Sequence, residues 1–432
     1  MSGQSFDMRA LIDDLWFLRR DIACDDMSRA LGWLADRLGF QVEGYESGSE
    51  AWTWIIPPRW EVERAHVKAG GETLVDLRDH PLHVMSYSQP VDRKVSREEL
   101  LAHLRTREDR PGAISFEYSY YRPDWAFSVP HDWLPRFRHD EYEVLIDSRF
   151  VPGDLEVACL HLPGRRREEF VFMAHMCHPA MVNDDLSGVA VLAAAAHRLG
   201  RKKDRRFSYR FLVGPETIGT IAYLSRHEDL IPDMKGGCFL EMLGNQAPLS
   251  FQHSRSGDNQ MDLALSCALK SLKTEHREGA FREVIVNDEA VLDGPGVDVP
   301  CCSLSRSGFF SRQEWPYPEY HTSDDTPDII SMDRLDEAAE VICRAVEILE
   351  QNFVPKRKFK GPVFLSRYDL WVDWRVNMEL NLKMDDVMCM LDGDLDLLHI
   401  AESLDLDFFM VKGWLDKFAE HGLIDITSQE PR

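Results

Sequence analysis

Four short stretches of this chain hold nearly every residue suited to binding a divalent metal and moving a proton beside it. The first is Ala174-His175-Met-Cys177-His178-Pro179, followed closely by Asn183-Asp184-Asp185-Leu-Ser187-Gly188. The second is Gly214-Pro-Glu216-Thr217-Ile-Gly219, and the third is Phe239-Leu-Glu241-Met-Leu-Gly244. The fourth is Glu319-Tyr-His321-Thr-Ser-Asp324-Asp325-Thr326. Together they offer imidazole nitrogen and carboxylate oxygen, a donor set that suits zinc and leaves a coordination position open for water. Each stretch alone has a plainer reading. A histidine at a strand end is usually structural, an aspartate before a helix is usually an N-cap, and Glu216 or Glu241 could be a satisfied acid. The weight lies in the combination and its order.

The elements that must position these groups can be read around them. Residues 169–174, 207–214 and 237–243 are apolar enough for buried strands, while 188–199, 217–226 and 332–351 read as helices. Such alternation predicts an α/β sandwich with a mostly parallel central sheet, in which functional groups collect where strands end. Residues 136–355 are expected to form this core, with 142–147 and 155–162 as further strands. Ahead of it, Leu11, Leu15 and Leu18, then Leu31, Leu34 and Leu38, fall at helical spacing within 1–45. Residues 46–135 read as a β-rich insert with one helix over 96–106. Its Trp52, Trp54 and Trp60 are expected in packing more than in a substrate cleft. After the basic connector at 355–360, residues 356–432 predict three helices over 384–391, 395–404 and 407–421. The closing Gly422-Leu-Ile-Asp-Ile reads as the entry to a wing, so this domain is expected to be a winged helix.

Charge excludes some function classes. The 432 residues carry 74 acidic against 50 basic side chains, a formal net charge of -24, which repels phosphate. In the C-terminal domain the acids far outnumber Lys412 and Lys417, so no nucleic acid is expected there; a docking or oligomerisation role fits better. No apolar run of about eighteen residues occurs, and no basic-then-apolar leader opens the chain. With nine scattered cysteines lacking framework spacing, the expectation is a cytoplasmic protein with reduced thiols and no membrane partner.

The ordered motifs resemble the zinc aminopeptidase superfamily, which also includes glutaminyl cyclases. That family's pattern runs from a His two residues before an Asp, through Asp-Asn-x-Ser-Gly, Glu-Glu-x-Gly and Asp-Met-x-Gly, to His-Thr-x-x-Asp-Thr. Its counterparts here are His175, 184–188, Glu216-Thr-Ile-Gly219, Glu241-Met-Leu-Gly244 and 321–326. The phrases Cys-His-Pro, Asn-Asp-x-Leu-Ser-Gly, Pro-Glu-Thr-Ile-Gly and Glu-Tyr-His-Thr-Ser are similar to those of bacterial aminopeptidase-like proteins sometimes labelled polysaccharide-biosynthesis proteins. Those proteins also carry a β-rich insert and a C-terminal winged helix.

The resemblance implies that Asp184 bridges metals, that His175 and Glu241 complete one site, that His321 serves the other, and that Glu216 is the general base. Two departures stand out. Thr217 replaces the second Glu, and Cys177 replaces the Asp that normally orients the first His. One firmly bound zinc is therefore expected in place of two, with His178 or Cys177 as a further donor. Arg312 is a candidate for gripping a substrate carboxylate or phosphate, against the plainer reading of a loop contact. The expected activity is hydrolysis of a peptide or other amide. Deacylation of an amino sugar or biosynthetic intermediate, and a non-catalytic metal-binding scaffold, are the alternatives. Self-association into a homo-oligomer stays open.

Overall fold

The computed structural model describes residues 6–308 and 314–427. Its main feature is an eight-stranded mixed sheet. The strand order is Gln41–Glu46, Asp154–Leu162, Ser208–Gly214, Glu169–His175, Met234–Leu240, Cys301–Ser305, Leu249–Gln252 and His276–Gly279. The four strands at its centre, from Ser208–Gly214 to Cys301–Ser305, run parallel. Glu169–His175 and Ser208–Gly214 are buried along their whole length, as expected of strands covered on both faces. One consequence is a charged pair inside the sheet. Arg210 Nε and Nη2 meet Glu169 Oε1 and Oε2 at 2.8 and 2.9 Å, so each charge keeps its partner.

Parallel strands bring their C-terminal ends to one edge, and the site depends on this. His175 ends one strand, Glu216 follows Gly214 at the end of the next, and Glu241 follows Leu240. Helix Leu186–Gly200 starts immediately beyond Asp184 and Asp185 and is buried along most of its length through its alanines. Its Gly188 allows a close approach: a Cβ there would stand 2.1 Å from the Leu240 carbonyl oxygen. The helix start is thereby set directly against the strand that delivers Glu241.

A second, antiparallel sheet has the order Glu72–Asp76, Arg59–Ala69, Glu141–Val151, Val91–Ser96. Here the structure departs from the sequence reading. The alternating strand near 142–147 belongs to this insert sheet, paired on both sides by Arg59–Ala69 and Val91–Ser96. Its half-buried period-2 pattern suits an antiparallel sheet with one covered face, and that pattern does not name a partner. The helix expected over 96–106 is the shorter Arg97–Ala102, capped by Ser96 accepting from Glu99 N–H. Trp60 is buried at 1% exposure, but Trp52 and Trp54 are 38% and 37% exposed, so the packing expectation holds for Trp60 alone. Cys301 and Cys302 are fully buried in their strand, as small hydrophobes would be.

The chain divides into two compact units, Met1–Arg255 with Arg277–Ala339, and Ser256–His276 with Glu340–Arg432. The second unit holds helices Gln260–Leu272, Met378–Cys389, Leu397–Ser403 and Phe408–Glu420. In it, strand Val354–Arg357 pairs antiparallel with Ile424–Thr427. Val411, Trp414, Leu415 and Phe418 line the buried face of the last helix. Among the described residues no helix is long and apolar enough to cross a membrane.

Candidate metal centre

At the C-terminal edge of the parallel strands, Asp184 lies among three imidazoles. Its Oδ1 is 3.2 Å from His175 Nε2 and 3.7 Å from His178 Nδ1, and its Oδ2 is 3.1 Å from His321 Nε2. Glu241 Oε2 approaches His175 Nε2 at 3.5 Å. Three of the four stretches are therefore linked pairwise, His175 to Asp184 and Glu241, and Asp184 to His321. Glu216 stands at the rim with Oε2 3.8 Å from His178 Nε2; its side chain is 39% exposed, against 2% for Asp184 and Glu241. One carboxylate faces the solvent side while the others are sealed in. Backbone strain gathers here too: Ala180, Thr217, Met242 and His321 all have positive φ without being glycine.

Electrostatics favours a cation. Burial works against a charged Asp184, yet the neighbouring His178, His175 and His321 hold its carboxyl well below the usual range. Burial pushes the Glu241 carboxyl well up, with Asp184 and Glu289 adding repulsion that His175 only partly offsets. Burial also opposes a charged His175, but the hydrogen bond with Asp184 and the facing Asp288 carboxylate raise its imidazole well above the ordinary value. Glu241 Oε1 and His321 Nε2 are sealed from solvent without a hydrogen-bond partner. Unsatisfied buried oxygen and nitrogen atoms of this kind cost free energy that a divalent ion would offset. Nitrogen and carboxylate donors together fit zinc.

The sequence did not disclose what orients the ligands. Cys177 supplies no carboxylate; its Sγ accepts the Glu216 backbone N–H at 3.2 Å and so helps fix the turn that carries Glu216. The missing carboxylate comes from the loop before helix Glu289–Leu292. Asp288 Oδ2 faces His175 Nδ1 at 3.6 Å, an electrostatic contact longer than a hydrogen bond, and neither atom has a hydrogen-bond partner. Asp288 Oδ1 accepts from Thr217 N–H at 3.0 Å and Thr220 Oγ1 at 2.5 Å. Its neighbour Asn287 donates to Glu241 Oε2 at 2.8 Å. Two adjacent residues thus grip two of the candidate ligands. Replacing Asp288 by Asn keeps the shape but removes the charge behind His175. Metal affinity, read by competition with a chromophoric chelator, should fall roughly 10–100-fold; unchanged affinity would show that Asp288 does not support the ligand.

The insert also reaches the centre, through residues other than the tryptophans. Phe116 sets its ring 5.2 Å from both His178 and His321, and its N–H donates to the His321 carbonyl at 2.9 Å. Arg110 pairs with Asp324 at 2.6 Å, and Arg107 donates to the Tyr320 carbonyl at 2.9 Å. Asp325 turns inward, accepting the N–H groups of Asn183 and Asp184 at 2.7 and 3.0 Å and the Tyr317 hydroxyl at 2.7 Å. The His321 loop is therefore clamped between the insert and the Asp184 loop. Arg312 lies outside the described residues.

The chain is similar to known proteins. A Clostridium acetobutylicum protein, provisionally named for polysaccharide biosynthesis and for an aminopeptidase-like domain, is 30% identical over 343 residues, 79% of this chain and 77% of that one. A crystal structure from the same species, of a protein provisionally called a peptidase, gives a TM-score of 0.85 at 27% identity, covering 97% of this chain and 96% of that one. BSAP, a zinc aminopeptidase from Bacillus subtilis, shares the fold with a TM-score of 0.57 at 13% identity, over 80% of this chain and 95% of that one. Residues 9–352 match one family model, and the chain belongs to that family, described as "Domain of unknown function (DUF4910)", with an aminopeptidase-like fold.

Proposed function

We propose that this chain is a zinc-dependent hydrolase of a peptide or other amide bond. The observation carrying this reading is the meeting of His175, Asp184, Glu241 and His321 beside a solvent-facing Glu216. When bound, the ion supplies Lewis acidity, drawing charge from the substrate carbonyl and lowering the pKa of water toward about 7. The protein's own contribution is proton traffic. Glu216 takes a proton from water as its oxygen bonds to the carbonyl carbon, then hands it to the amine nitrogen as the C–N bond breaks. Cys177 and Asp288, holding the backbone N–H groups of Glu216 and Thr217, keep that carboxylate aimed. Turnover by a Glu216→Gln variant, with metal content measured beside it, is the test.

A second reading keeps the chemistry and changes the substrate to an amide on an amino sugar. Besides the name of the C. acetobutylicum relative, exposed rings support it: Tyr118, Tyr121 and Trp54 are 54%, 58% and 37% exposed. Tyr118 sets its ring 5.7 Å from that of Phe116, which itself lies 5.2 Å from His178 and His321. Flat aromatic faces with polar edges suit a sugar ring. Comparing aminoacyl anilides with N-acyl sugars separates the two substrates. A scaffold without turnover is the third reading, and Glu216 weighs against it. The wider proposal is a cytoplasmic enzyme that does not bind nucleic acid. Its C-terminal unit would be a winged-helix-like module for docking or self-association, supported by the helices Leu397–Ser403 and Phe408–Glu420 and the strand after them.

A further inference from the structure

The metal centre leaves two surface features without a role, and they carry opposite charge. The first is a pair of basic loops, residues 164–168 and 201–206, where eight cations stand against Glu168 and Asp204 in a chain of net charge -24. The loops are tied together: Arg165 N–H donates to the Arg205 carbonyl and Arg166 N–H to the Arg206 carbonyl, both at 2.9 Å. The parallel strands Glu169–His175 and Ser208–Gly214 start just after them, so the loops lie at the edge of the sheet opposite the metal centre. Arg165 pairs with Asp204 at 2.9 Å and Arg167 with Asp233 at 2.7 Å, yet both arginines stay exposed, as do Arg201, Lys202 and Lys203 beside them. Cations crowded in this way repel one another, and an anionic partner relieves the repulsion.

The second feature is an apolar, acidic face in the C-terminal unit. Trp371, Trp374, Met378 and Leu382 are between 52% and 73% exposed. On helix Met378–Cys389, Met378, Leu382, Asp385 and Asp386 fall on one side, while Leu380, Met384, Val387 and Met388 are buried on the other. Residues 369–394 hold seven acids against Arg375 and Lys383, so the charge balance mirrors that of the loops. Arg375 already stands 5.2 Å over the Trp374 ring, the kind of contact an incoming guanidinium makes with an indole. Large apolar side chains gain from leaving water, and the acids beside them select a cationic partner. The chain thus carries a surface and its complement. Resting on the self-association reading of the C-terminal unit, we infer that copies of this chain join by docking the arginine loops of one onto the tryptophan-and-acid face of another, with guanidinium groups over the indoles and beside Asp385 and Asp386. The two surfaces differ, so the contact is head-to-tail.

The test is association of the full chain in solution. Sedimentation velocity over a series of concentrations should show species heavier than the monomer in low salt, with the apparent mass falling as sodium chloride is added. Two variants separate the surfaces. One carries Arg165→Glu, Arg167→Glu and Lys202→Glu on the loops; the other carries Met378→Lys and Leu382→Lys on the face. All five side chains are exposed, and far-ultraviolet dichroism checks that both variants fold. Each alone should associate about tenfold or more weakly than wild type. An equimolar mixture should associate again, because one variant keeps the face and the other keeps the loops. Variants that associate like wild type, or a mixture that stays monomeric, would overturn the pairing while leaving self-association through other surfaces standing. A wild type that is monomeric at every concentration would overturn both. Monomeric wild type captured by phosphatidylglycerol vesicles, with capture lost in the loop variant, would assign the loops to a lipid surface and end the proposal.

Discussion

Glu216→Gln should leave the protein folded and fully metal-loaded while lowering kcat by about 10²–10⁴-fold, the usual worth of a positioned general base. The amide keeps the size of the side chain and one acceptor oxygen, but it can no longer take a proton. Because Glu216 is 39% exposed and the buried acids of the cluster are near 2%, the change does not disturb the sealed part of the site. The backbone N–H groups of Glu216 and Thr217 stay anchored on Cys177 Sγ and Asp288 Oδ1 in the variant, so the turn persists. KM should move little, since the loss falls on the transition state. Kinetics on a responsive amide substrate, with zinc counted in the same preparation, read the result. Activity within a few-fold of wild type would remove Glu216 from the role. Loss of metal together with activity would make it a ligand.

Asp184→Asn has the larger effect on the metal. Asp184 faces all three imidazoles, and its negative charge survives burial because they surround it. An uncharged amide there removes the anion that His175, His178 and His321 all face. Affinity should fall by more than the roughly 10–100-fold lost with a partner of a ligand. Stability gives a readout free of any substrate. Metal at 100 times its Kd stabilises a protein that binds it only when folded by about 2.7 kcal/mol. The wild type should therefore melt higher when zinc is added, and Asp184→Asn should not respond. Far-ultraviolet dichroism confirms that the variant folds. A zinc-dependent rise in Tm equal to that of wild type would show that the ion binds elsewhere.

Much of this centre was legible in the sequence because parallel strands impose a rule. His175, Glu216 and Glu241 each follow an apolar run, and parallel strands end on one edge whatever their order in the sheet. The His321 loop carried its own dense polar pattern. What stayed hidden came from stretches with no periodic grammar. Asn287 and Asp288 sit in a loop, and nothing in Val-Asn-Asp-Glu says that one side chain will meet Glu241 and the other His175. The loop is placed by Gln252, whose side-chain oxygen accepts the N–H groups of Val284 and Ile285 at 2.8 and 3.0 Å, a contact between distant stretches. Phe116 was missed because an apolar residue in a β-rich insert reads as core, and here it lies against two imidazoles instead. The strand Glu141–Val151 had the right type and the wrong neighbours, since period-2 alternation fixes a face without fixing the partner strand. Segment Ser256–His276 groups with the C-terminal unit for the same reason: an amphipathic helix shows which side it buries but not against what.

Diffraction from zinc-loaded crystals at energies above and below the zinc edge tests the central claim most directly. The expected result is strong anomalous density in contact with the Asp184 carboxylate and at least one of His175 and His321, with Glu216 beside it. Density confined to another part of the chain, or none after loading with excess zinc, would contradict it.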